Sequence, residues 1–325
     1  MPTLRSAWHE SLYGPAGFYR SSAPVAHFRT SVHAGPAFAA ALARLARESG
    51  LGRVVDVGSG RGELLRTLAD VDPGLALVGV DVVPRPEGLP AGATWVRSPG
   101  GEALPDLGGA GRGALVVANE WLDDVPCPVL EVDERGALRE VCADGSLCPG
   151  DPAADDVDWA RRWWPTGDAE PGDRVEVGLT RDRAWAHLAA QCDGSVLLAA
   201  DYAHHRAARP VGGTLRAYRG GMPAEPVPDG DRDLTAHVAL DAVAAAVPAR
   251  WSLLTTQRRA LRALGVSGAT PPHALSRTDS AAYLRALVAA GEAGELLDTR
   301  GLGAFGWLVQ SLGPEPPAAL AGLGR

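Results

Sequence analysis

The sequence predicts an open α/β fold built on a mostly parallel, seven-stranded sheet, and three observations carry that prediction. Short apolar runs at 54–57, 75–80, 114–118 and 195–200 alternate with segments of helical periodicity, the pattern of strand-helix-strand units. The first run feeds a loop with glycine at every second position and then the apolar helical spacing of Leu64, Leu65 and Leu68. The run 114–118 is apolar without a break, as in a strand covered on both faces.

Taken in order, the segments 13–19 and 27–31 are rich in aromatics, glycine and small hydroxyls without clear periodicity. Such a segment lies on something else. It is expected either as a lid over a ligand crevice, with Phe28, Thr30 and Ser31 near the ligand, or as an arm packed on the first helix. Pro36 opens an amphipathic helix over 36–47 with Phe38, Leu42 and Leu45 on one side.

The first strand ends in Asp56-x-Gly58-x-Gly60-x-Gly62. Glycine lets the backbone cross positive φ and lets a ligand lie against the main chain, and the following helix points free N–H groups at it. The dinucleotide spacing G-x-G-x-x-G is not what stands here. A carboxylate at this strand end repels a pyrophosphate and suits a cationic or amino-bearing ligand. The second strand ends in Asp81, where an acid can take both hydroxyls of a ribose. Together the two features look like the S-adenosylmethionine site of class I methyltransferases, with an ordinary β-turn-α unit as the plain structural alternative.

A third strand is expected at 94–96, then a Pro/Gly-rich loop at 98–113. At the carboxyl end of the fourth strand stands Asn119-Glu120-Trp121-Leu122-Asp123-Asp124. In open parallel sheets ligands sit outside the carboxyl ends of strands, so this cluster faces the same crevice. Glu120, supported by Asp123, has the chemistry to hold a nucleophile's donor hydrogens and accept a proton; helix capping by Asn119 or Asp123 is the alternative. A hairpin pairs 129–132 with 138–141, an acidic loop covers 151–158, and Trp159, Trp163 and Trp164 form either a substrate platform or packing beneath the insertion. A helix at 183–191 leads to the fifth strand, which ends in Asp201-Tyr202-Ala203-His204-His205. His204 or His205 is a candidate general base or an exposed loop residue. The long polar stretch to 238 reads as an active-site loop. Helices at 257–264 and 280–290 and strands at 251–255 and 305–310 complete the sheet. The expected organisation is a lid and first helix at 1–50, core at 51–129, insertion at 130–172, and the rest of the core at 173–325 with the loop 202–238.

Composition removes other classes. A net charge of -8 and a pI near 5.5 argue against duplex nucleic acid as a partner. All 31 basic residues are arginine, which reflects coding bias more than function. Cys127, Cys142, Cys148 and Cys192 form no C-x-x-C pair, and no His-rich metal spacing occurs, so four reduced thiols and no metal are expected. No apolar run reaches membrane-spanning length and the first ten residues carry no apolar core, so the expectation is a cytoplasmic protein with no membrane contact.

The ordered motifs Phe28-Arg29-Thr30-Ser31, Asp56-x-Gly58-x-Gly60-x-Gly62, Asn119-Glu120-x-Leu122-Asp123-x-x-Pro126, Ala200-Asp201-Tyr202 with His204, Gly213-Thr214-Leu215-Arg216 and Asp233-Leu234-Thr235-Ala236-His237-Val238 resemble those of the MidA family of methyltransferases. The match spans 13–312. Ala26-His27-Phe28 and Ser31-Val32-His33 depart from the family's usual residues, and Asp56 stands for its usual glutamate. This is the family of a mitochondrial complex I assembly factor that methylates an arginine. The resemblance implies a class I fold, S-adenosylmethionine held by Thr30, Ser31, Asp56, Gly58, Gly60, Gly62, Asp81 and Asn119, and methyl transfer to a nitrogen, most plausibly a protein arginine, served by Glu120, Asp123, Asp201 and His204. The competing readings are a small-molecule O- or N-methyltransferase, with the tryptophan-rich insertion as acceptor pocket, and a non-catalytic assembly factor.

Overall fold

The computed structural model of the chain describes residues 1–21 and 30–323; Phe28 lies outside them. The central sheet consists of β1 (Arg53–Val57), β2 (Ala76–Asp81), β3 (Thr94–Arg97), β4 (Leu115–Asn119), β5 (Val196–Asp201), β6 (Trp251–Thr256) and β7 (Gly306–Ser311). The main helices are α1 (Leu4–Tyr13), α2 (Pro36–Glu48), α3 (Glu63–Val71), α4 (Ala154–Trp163), α5 (Leu179–Ala189), α6 (Leu240–Ala245), α7 (Gln257–Ala263) and α8 (Ser280–Leu296). Across the sheet the order is β6-β7-β5-β4-β1-β2-β3, with β7 antiparallel to both neighbours and the rest parallel. This is the seven-stranded class I methyltransferase fold that the sequence predicts.

Side chains of successive strand residues leave on opposite faces, and the core divides accordingly. Val54, Leu115, Val117 and Leu198 pack with Phe38, Leu42 and Leu45 of α2 and Leu64, Leu65 and Leu68 of α3. Val55, Val57, Val116 and Leu197 pack on the other face with Trp185 and Leu188 of α5 and Val243 of α6. Each fully buried Leu or Val contributes roughly 1.5–3 kcal/mol over its exposed state. The register aligns Val57 with Val80 and Ala118, and Asn119 with Ala200. Strand addition reverses direction between β1 and β4, so the carboxyl ends of β1, β2, β4 and β5 open on one crevice.

Four expectations are corrected. The N-terminus contains α1, which the irregular sequence pattern hid. Thr3 caps it by accepting from the Ser6 amide at 3.2 Å. Trp8 and Leu12, one helical turn apart, are fully buried against Phe18, Val82 and Leu234, and Trp8 Nε1 donates to the Leu234 carbonyl at 3.0 Å. The acidic segment 151–158 is no loop: it starts α4, with Asp155 and Asp156 in the first turn and Arg161 and Arg162 in the last, charges that match the helix dipole at each end. Trp159 and Trp164 point inward, 5% and 4% exposed, and Trp159 Nε1 donates to Asp182 at 2.7 Å. They pack the insertion and form no platform. The stretch 202–238 is built largely of a three-stranded antiparallel sheet, Arg216–Arg219, Met222–Ala224 and Asp233–Thr235; its strands are too short for alternation to stand out.

The insertion hairpin pairs Leu130 with Glu140 and Val132 with Leu138, and Arg174–Glu176 adds a third strand just past residue 172. Beyond it the chain turns back so that Val141 bridges Leu147. That turn sets Cys142 opposite Cys148, with Cα atoms 5.2 Å apart, and the two form a disulfide. Cys127 and Cys192 are free and buried, which corrects the expectation of four thiols. Among the described residues no helix is long and apolar enough to cross a membrane, and no group of side chains is arranged to hold a metal.

Candidate active site

A cavity opens at the carboxyl ends of β1, β2 and β4, roofed by the N-terminal segment and by the sheet of 216–235. Asp56, next to last in β1, reaches the cavity and accepts the Ser59 hydroxyl at 2.6 Å. Burial pushes its carboxyl up to about 7 against the Ser59 bond. The loop beyond it holds Gly58, Gly60 and Gly62 at φ 74°, 58° and 78°, a region that glycine enters without strain. Gly58 and Gly60 line the cavity. A Cβ on Gly58 would press on Trp121 at 3.2 Å. Gly62 does not line it; it caps α3 and leaves room for Leu89.

Asp81, at the end of β2, accepts the Gly60 amide at 2.7 Å and the Val83 amide at 3.0 Å, one on each oxygen. One lone pair on each oxygen remains for a further donor. Burial raises this carboxyl to about 6, less than it otherwise would because of those amides.

Past β4 the backbone is strained. Glu120 has φ 52°, the only non-glycine at positive φ among the described residues, and such outliers concentrate at functional sites. The conformation is held by its amide, which donates to the Ala200 carbonyl at 2.8 Å, and turns the carboxyl into the cavity. Asn119 Nδ2 donates to Glu120 Oε1 at 2.9 Å, and the Ser31 amide donates to the same carboxyl. Burial, then the charge of Asp123, push Glu120 up to about 8. Asn119 Oδ1 is buried without a partner.

The structure separates the remaining sequence candidates. Thr30 lines the cavity. The Ser31 side chain lies outside it, bonded to Gln257, so only its main chain serves the site. Asp123 lines the cavity; Thr235 donates to its Oδ2 at 2.7 Å, and its Oδ1 is buried without a partner among the described residues. Burial and then the neighbouring Asp123 and Glu120 charges raise Asp201 far above the carboxylate range. Asp201 also accepts the amides of Leu122 and Asp123. It is fully buried and shapes the loop from behind. His204 is not brought to the site. It lies 8% exposed between Trp164, at 4.9 Å, and Arg209, whose NH1 meets its Nδ1 at 2.7 Å. Burial and Arg209 lower its pKa to about 3, so it is neutral, and it does not line the cavity.

Tyr202, just past the end of β5, joins the wall, and groups that the sequence alone did not single out complete it: Tyr13, Tyr19, Tyr218, Asp233 and Thr235. Asp233 and Thr235 stand two positions apart on one strand and so share a face, a signal visible only once that strand is known. Beneath the floor lies Arg181, 1% exposed. Its guanidinium donates to the carbonyls of Val125, His237 and Asp123 at 3.0, 2.8 and 2.9 Å.

These residues fit S-adenosylmethionine. The glycine cradle admits a flat ligand against the main chain, Asp81 keeps lone pairs for two hydroxyls, the orphaned Asn119 Oδ1 seeks a donor, and Asp56 suits an ammonium group. Residues 101–256 match the model of a family described as "Putative S-adenosyl-L-methionine-dependent methyltransferase". A crystal structure from Burkholderia thailandensis, of a protein bound to S-adenosyl-homocysteine, is similar at a TM-score of 0.76 and 23% identity, covering 99% of this chain and 91% of that one. A second, native crystal structure from the same organism, of an uncharacterised protein, gives 0.76 and 24% over the same shares. No curated protein matches the chain. Fold, cavity and family model agree on the class: a methyltransferase that depends on S-adenosylmethionine.

Proposed function

We propose that the chain methylates a nitrogen, specifically the guanidinium of an arginine in a partner protein. The observation that carries this reading is the acidic wall around the strained Glu120. Glu120, Asp123, Asp124 and Asp233 line the cavity beside the donor site, and a cationic, planar fork is the acceptor such a wall complements. The MidA resemblance points the same way. The inward packing of Trp159 and Trp164 lends the small-molecule alternative no platform in the insertion.

When bound, S-adenosylmethionine supplies a methyl on a sulfonium, activated for in-line displacement. The chain's own work is alignment and the exclusion of water. Glu120, fixed by Asn119 and Ser31, receives N–H groups of the guanidinium and localises its charge on the far nitrogens, so that the near nitrogen presents a lone pair. As the new C–N bond forms, that nitrogen's proton passes to the Glu120 carboxylate. Asp123, whose Oδ2 accepts the Thr235 hydroxyl, adds negative potential beside it.

The test uses tritiated S-adenosylmethionine and an extract of the source cells. Label recovered as methylarginine in protein, lost with Glu120→Gln, supports the proposal. Label only in organic extracts favours a small-molecule acceptor, and specific protein capture without label favours an assembly factor.

A further inference from the structure

We infer that Asp233, held in place by Tyr19, is a specificity-determining residue that receives the fixed positive charge of the acceptor; the inference rests on the acceptor reading above. Tyr19 donates its phenolic proton to Asp233 Oδ1 at 2.6 Å. A phenol that donates to a carboxyl oxygen favours its ionised form, so the contact both orients Asp233 and supports its charge.

The geometry leaves Asp233 something to do. It is 6% exposed and lines the cavity, and its second oxygen has no hydrogen-bond partner among the described residues. Asp123, too, has one oxygen on Thr235 and the other without a partner among the described residues. Of the carboxyls on the acceptor side, Glu120, Asp123 and Asp233 keep capacity for a guest, and Asp233 is the one oriented by a tyrosine of the cavity wall. A buried carboxylate with an open oxygen is costly unless a cation pairs with it. Tyr19 fixes its orientation, and with Glu120 it offers a planar guanidinium two separate acceptors. A compact ammonium has less use for two.

The test is calorimetric, with S-adenosyl-homocysteine present. N-acetyl-arginine amide is compared with N-acetyl-citrulline amide, nearly the same shape without the charge. Wild type is expected to prefer the arginine probe by roughly tenfold or more. Asp233→Asn should reduce that preference to about threefold or less with unchanged affinity for S-adenosyl-homocysteine, and Tyr19→Phe, which keeps every carboxyl, should reduce it part of the way. Wild-type preference in both folded variants overturns the role of Asp233 and leaves the acceptor reading standing. If Asp233→Asn does not fold, Tyr19→Phe decides alone. A wild type that binds S-adenosyl-homocysteine yet shows no preference overturns the cationic acceptor, and this inference with it.

Discussion

The amide of Gly60 donates to Asp81 at 2.7 Å, and that bond ties the loop after β1 to the tip of β2. The residue that gives the cradle its shape is thus bonded to the acid that terminates it, and neither can shift without the other. Replacing Asp81 by alanine removes a carboxyl that lines the cavity and at once releases the Gly60 and Val83 amides. Calorimetry should find binding of S-adenosyl-homocysteine weakened roughly 10- to 100-fold, the worth of one or two charge-assisted hydrogen bonds. Unchanged affinity in the folded variant would remove Asp81 from the site.

Glu120 sits in a conformation that disfavours any side chain, so its carboxyl is placed there for a reason other than folding. Glu120→Gln keeps shape and loses the proton acceptor. Single-turnover assays should show a fall in rate of roughly 100-fold or more with donor binding intact. Glu120→Gly should keep or raise the melting temperature while abolishing transfer, since glycine relieves the positive φ.

Stability should fall as pH rises from 6.5 to 8. In that window Asp56 and Asp233, at about 7, and Glu120, at about 8, still bind protons in the folded chain, whereas in the unfolded chain they are ionised. The folded state holds more protons, so raising pH favours unfolding, by up to about 1.4 kcal/mol per pH unit for each group that titrates. His204, lowered to about 3, acts in the opposite sense only below its ordinary pKa of about 6.5. Melting curves of the unliganded protein test this, and a rising midpoint across the window contradicts it.

The disulfide is open to direct counting. Denatured without reductant, the chain should take up two maleimides, at Cys127 and Cys192, and four after reduction. The Cys142–Cys148 loop is short, with a sequence separation of 6, and its loss should lower stability by about 2 kcal/mol on the chain-entropy account. Four labels before reduction would exclude the bond.

The fold and the part of the cavity wall at the ends of β1 and β2 were legible in the sequence because both are local: Asp56, Gly58, Gly60 and Asp81 stand at strand ends that can be read from apolar runs. Asn119 and Glu120 were legible for the same reason. The acceptor half was not. Tyr19 and Asp233 meet across 214 positions, and the strand carrying Asp233 is three residues long, too short to announce itself. His204 was misplaced because sequence puts it at a strand end without saying that Arg209 and Trp164 enclose it. Asp201 was rightly placed near Glu120, yet its bonds to the 122 and 123 amides make it part of the scaffold.

Arg181 has a consequence for selectivity. With its three donor bonds made to main-chain carbonyls, this interior guanidinium forms no ion pair with the chamber's acids among the described residues. A guest therefore need not evict it. Its charge reaches Asp123 and Asp201 only through space, and the negative charge that remains is met by protons or by the guest, so a positively charged acceptor competes with hydrogen ions, and acidity of the medium becomes its natural inhibitor.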